Sequence, residues 1–230
     1  MSTSSSNRSG VILAVATLVL LGGGIALALL WAPEDADQGP SQRIFYIHVP
    51  LALTAYACFF WGAWKGLRLL WTREERYDLE GYTAVHMGLI FGLLTLATGS
   101  IWAKISWGVW WSWGERQLVL FLILFLFYSA YFMLRYSLEP GTSRANISAV
   151  YALLGVVLIP VSFLAIRLAE NFIHPVVFTR DVQDNLPTEM LLTFCVCLAG
   201  MLALAATLYQ NELLGKRLDE RVRELREALQ

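Results

Sequence analysis

LVLFLILFLFYSAYFMLRYS, residues 118–137, decides the class of fold. The run holds apolar, aromatic and small residues until its only cation, Arg135, close to the end. A helix rises 1.5 Å per residue, so about 20 such residues cross the roughly 30 Å hydrocarbon core of a bilayer. Similar blocks occupy about 11–31, 51–71, 84–104, 147–169 and 188–210. In lipid each backbone N–H and C=O must be satisfied within the segment, which selects helices over open strands. Charged residues make up 15% of the 230 and apolar residues 57%, against roughly 25% charged in soluble domains. The chain therefore reads as an all-α integral membrane protein with six transmembrane helices over 1–210 and a helical tail over 211–230, without room for a large soluble domain.

The cations are distributed unevenly between alternate loops. Arg8, then Lys65, Arg68, Arg73 and Arg76, then Arg135 and Arg144, then Lys216, Arg217, Arg221, Arg223 and Arg226 share one side. The other side keeps Arg43, Lys104, Arg116, Arg167 and Arg180. Cytoplasmic loops carry the excess of Lys and Arg, so both termini are expected in the cytoplasm and the loop between the third and fourth spans outside. Arg8 ahead of an apolar run, with Ala26-Leu27-Ala28 behind it, also has the outline of a signal peptide. Its length favours a retained span.

The middles of the six spans lack Asp, Glu, Lys and Arg. Intramembrane ionisable residues mark ion paths and proton relays, so a proton- or sodium-coupled transporter is disfavoured. Cys58, Cys195 and Cys197 lie within spans, show no metal-ligand spacing and read as packing residues. No zinc motif, phosphate loop, nucleophile elbow or long basic tract is present, and nucleic acid is not an expected partner. Gly22-Gly23-Gly24 and Pro160 read as points of close packing.

The outer loop after the third span reads WGVWWSWGERQ, residues 107–117. It carries Trp107, Trp110, Trp111 and Trp113, with Trp102 just upstream. Two of the three histidines fall on the same side. His48 lies in RIFYIHVP at the outer entrance to the second span, and His174 in NFIHPVVF between the fifth and sixth. A residue preceding proline is pushed away from helix, so His48 is expected just ahead of its helix and His174 in an irregular loop. The third, His86, lies at the cytoplasmic end of the third span and reads as a hydrogen-bonded structural residue.

Imidazole is a common axial ligand of haem iron, and indole offers a broad apolar surface with few rotatable bonds. If 107–113 is helical, Trp107, Trp110 and Trp111 share a face by i, i+3, i+4 spacing. Arg116 and Arg43 are outward cations able to pair with propionates. Haem at the outer membrane surface fits this combination. Tryptophan also gathers at membrane interfaces because its ring is amphipathic, which accounts for Trp31, Trp61, Trp64 and Trp71. Five tryptophans between 102 and 113 exceed what such a belt requires.

The tryptophan stretch resembles the W-G-x-x-W-x-W-D-x-R signature of the haem-handling proteins of cytochrome c maturation. With six spans and the two flanked histidines, the chain from about 40 to 210 is similar to the haem exporter protein C (CcmC) family. The resemblance implies haem b on the external loop of a bacterial inner-membrane protein, with His48 and His174 as axial ligands of the iron. It implies transfer to a haem chaperone of the CcmE type, whose histidine is joined to a haem vinyl, and association with CcmA, CcmB and CcmD type subunits of an ABC transporter. One position departs from the signature. Gly114 stands where the family has Asp, followed by Glu115, while Arg116 keeps the arginine spacing.

Residues 211–230 place Leu214, Leu218, Val222, Leu225 and Leu229 at helical spacing, with Asp219 and Arg223 as an i, i+4 pair. A solvated cytoplasmic helix is expected. No conventional active-site motif is present, so any catalysis would consist of orienting a vinyl group and tuning the iron. Two other readings stay open at this stage. One is a cytochrome b-like electron-transfer subunit, and the other a permease for a hydrophobic solute.

Overall fold

The computed structural model describes residues 3–35, 38–168 and 187–229. The chain order is α1 (Thr3–Leu30), a 3-10 turn (Pro40–Ile44), α2 (Phe45–Thr72), α3 (Arg76–Trp107), α4 (Arg116–Ser137), α5 (Thr142–Leu168) and α6 (Thr188–Ala228). These six helices are long and apolar enough to cross a membrane, so the all-α, six-span architecture expected from the sequence is the one observed. The loop with His174 and Arg180 lies outside the described residues.

Short connections make α2, α3, α4 and α5 successively antiparallel. α2 ends on Arg73 in the left-handed conformation, with its N–H on the Leu69 carbonyl at 2.8 Å. α4 and α5 are joined through Gly141. The main core forms where α2, α3, α4 and α5 meet, around Phe59, Phe91, Leu124 and Tyr128. Phe59 stacks on Tyr128 with centroids 3.8 Å apart. Gly88 of α3 provides the space: a Cβ built there would fall 2.5 Å from the Phe59 ring.

α1 packs against α6. Thr17 and Thr207 hydrogen-bond through their hydroxyls at 2.9 Å. A Cβ on Gly24 would lie 2.8 Å from the Cys197 sulfur, whereas Gly22 and Gly23 face open space. The triple glycine is thus a packing point at its third position only. Cys197 is the buried packing residue expected and Cys58 is half-buried, whereas Cys195 is exposed.

At the end of the bundle opposite the tryptophans, polar side chains tie α2, α3, α4 and α6 together. Arg135 in the last turn of α4 donates two hydrogen bonds to Asp78 in the first turn of α3, at 2.7 and 2.6 Å. Glu80 accepts from Lys65 and Arg217, each at 2.8 Å. His86 meets Glu212 at 2.8 Å, and Lys216 pairs with the same carboxylate. His86 is therefore a bonded structural residue, as its position suggested. The tail is not a separate helix: α6 runs unbroken through Glu212 and Lys216 to Ala228.

Candidate functional site

Four segments meet at the other end of the bundle: the 3-10 turn with the start of α2, the last two turns of α3, the tryptophan turn, and the start of α6. Phe45 of α2 stacks on Phe194 of α6 at 5.2 Å. Tyr46 is buried beside them, with Ala28 on α1, Ala32 just beyond it and Met190 on α6.

His48 does not precede its helix. α2 begins at Phe45, so His48 lies in the first turn and Pro50 is inside the helix. The pre-proline preference of Val49 is a local one, and Pro50 falls in the second turn of the helix. The burial of Gln42 and Tyr46 and the Phe45–Phe194 stack hold this segment helical regardless. The consequence is a fixed backbone under the imidazole. Its Nδ1 lies 3.0 Å from the Thr98 hydroxyl of α3, and its ring edge rests where a side chain on Gly99 would otherwise stand, with Cε1 at 2.8 Å from that Cβ position.

Thr98, Gly99 and Trp102 share one face of α3 by i, i+3, i+4 spacing. Trp102 meets Trp107 edge to face, with centroids 5.0 Å apart. α3 stops at Trp107 because Gly108 adopts φ 77° and turns its N–H onto the Lys104 carbonyl at 3.1 Å. Lys104 Nζ closes the cap by donating to the Gly108 carbonyl at 2.8 Å. Residues 108–115 form an irregular turn, so Trp107, Trp110 and Trp111 do not share a helical face. A left-handed glycine is a strong helix terminator, and it outweighs the apolar spacing. Trp111 instead packs edge-on against Trp113 at 5.8 Å. Trp110 and Trp113 project outward, 60% and 73% exposed.

The cations fall at the same end. Arg116 is the exposed first residue of α4. Arg43, in the 3-10 turn, pairs with Glu34 at 3.3 Å. Its Nε–H is buried without an acceptor among the described residues, and so is the indole N–H of Trp111. Gly114 is exposed, whereas Glu115 next to it is turned inward and only 7% exposed. The irregular turn, not a helical rotation, separates those two positions.

Sequence reasoning singled out His48 and the tryptophans but not Thr98 or Gly99. The available signal was Thr-Gly followed by Trp102 at helical spacing, near the end of the third span. His174 lies outside the described residues. Among the described residues no three His, Cys, Asp or Glu side chains converge as they would around a metal ion.

These features define a six-span membrane protein whose aromatic rings, a seated imidazole and two arginines collect at one end of the bundle. A profile of the family described as Heme exporter protein C matches residues 2–227. Heme exporter protein C of Haemophilus influenzae is 31% identical over 202 residues, covering 86% of this chain and 82% of that protein. The protein of the same name from Bradyrhizobium diazoefficiens is 31% identical over 215 residues, covering 93% and 80%, and that of Escherichia coli K12 is 30% identical over 199, covering 85% and 78%. The chain belongs to the Heme exporter protein C family.

Proposed function

We propose that this protein handles haem for cytochrome c maturation, holding haem b at the external face of the bacterial inner membrane and passing it to a chaperone of the CcmE type. The observation that carries this reading is the seat of His48, whose imidazole is fixed on α3 one turn from the Trp102–Trp107 pair. His48 and His174 are the axial ligands in this reading. Trp107, Trp110, Trp111 and Trp113 offer the apolar surface. Arg43 and Arg116 pair with the propionates, and the buried donors on Arg43 and Trp111 suit a ligand bearing carboxylates. Haem supplies the iron to be ligated and the vinyl group to be joined to the chaperone. The protein's residues orient it and exclude water from its face. Both termini and the α6 extension lie in the cytoplasm, where CcmA type subunits would be met, with CcmB and CcmD type subunits alongside in the membrane.

The reading is tested in cells that lack their own protein of this family and carry a tagged CcmE-type chaperone. Haem-stained gels of the chaperone are expected to show covalent haem with the wild-type chain and none with His48→Ala. Equal labelling with and without His48 would overturn the assignment.

A further inference from the structure

We infer that Thr98 and Gly99 are positioning residues that fix His48 with its proton on Nδ1 and thereby present Nε2 as the ligating nitrogen; the inference rests on the reading that His48 binds haem iron.

The surroundings of the Thr98 hydroxyl favour one arrangement. Thr98 Oγ1 carries a single proton and lies 2.8 Å from the Leu94 carbonyl and 3.2 Å from that of Thr95. Carbonyls only accept, so the hydroxyl is placed to donate within its own helix. The same oxygen lies 3.0 Å from His48 Nδ1, and with its proton on the Leu94 carbonyl it meets that nitrogen as an acceptor. In this arrangement His48 donates from Nδ1. In the neutral ring this makes Nε2 the nitrogen with the in-plane lone pair.

Gly99 sets the other coordinate. A Cβ at that position would lie 2.8 Å from His48 Cε1, 3.5 Å from Nδ1 and 3.6 Å from Nε2. The ring is thus placed edge-on in the notch of a glycine, and any side chain there would push it off. A hydrogen bond to the non-ligating nitrogen and a steric stop on the ring edge are the means by which outer partners orient a histidine ligand. The seat comes from α3 and the imidazole from α2, so the α2–α3 contact sets the aim of the ligand.

The test is a haem titration of the purified full chain with wild type, Thr98→Val, Thr98→Ser, Gly99→Ala and His48→Ala, reading affinity and spin state from the visible spectrum. Thr98→Val keeps the shape but not the acceptor, and is expected to weaken binding by about 10–100-fold with a partly high-spin spectrum. Thr98→Ser should behave as wild type, and Gly99→Ala should shift in the direction of Thr98→Val. Wild-type affinity and spectrum in Thr98→Val, with binding lost in His48→Ala, overturns the positioning role and leaves the haem reading standing. No effect of His48→Ala overturns the haem reading itself. Nitrogen NMR of haem-free, 15N-histidine-labelled wild type needs no substitution: protonation of His48 at Nδ1 is expected, and protonation at Nε2 overturns the proposal.

Discussion

Arg135→Ala is expected to destabilise the bundle by about 3–5 kcal/mol, the usual cost of removing one partner from a buried ion pair. The Arg135 side chain is 7% exposed and that of Asp78 20%. The guanidinium engages both carboxylate oxygens, and its carbon lies 4.8 Å from the Tyr82 ring centre. Truncation leaves Asp78 with an uncompensated charge at a helix–helix junction. The pair also places an acid in the first turn of α3 and a base in the last turn of α4, each at the favourable pole of its helix. Thermal unfolding in detergent measures the loss. The double variant Arg135→Met with Asp78→Asn should recover most of it, since replacing both charges removes the need for compensation. Equal losses in the single and double variants would show that volume, not charge, is what the junction requires.

Trp110→Ala combined with Trp113→Ala is expected to do the opposite, leaving stability nearly unchanged and removing haem binding. At 60% and 73% exposure these rings contribute little to the core, and exposed substitutions usually change stability by under about 0.5 kcal/mol. A flat apolar ligand that covers about 100 Å² of each ring gains about 2.5 kcal/mol per ring. The double substitution should therefore weaken haem binding by at least about 100-fold. Equilibrium titration alongside thermal unfolding separates the two effects. A belt that serves only the lipid interface would give no change in haem affinity.

The helices were legible because crossing a bilayer imposes a length and a polarity that single residues cannot override. The tryptophan stretch shows the limit. Helical spacing would put Trp107, Trp110 and Trp111 on one face, yet the positive φ of Gly108 ended the helix at Trp107 and left the rest as a turn. His48 shows the reverse case, where a local proline signal yielded to tertiary packing by Tyr46 and Phe45. Thr98 and Gly99 could not be singled out from spacing alone, because their meaning depends on which residue of α2 lies opposite. The unbroken α6 was likewise hidden. Composition changes sharply near residue 211, but the ion pairs of Glu212, Lys216 and Arg217 carry the helix across that boundary without a break.

The most direct test of the central claim is the visible absorption spectrum of the full chain purified from haem-replete cells, beside His48→Ala and His174→Ala. A low-spin bis-imidazole spectrum in the wild type, lost or converted to high spin in both variants, is the expected result. Absence of haem, or haem held equally well by both variants, would contradict the account and return the tryptophans to the role of an interfacial belt.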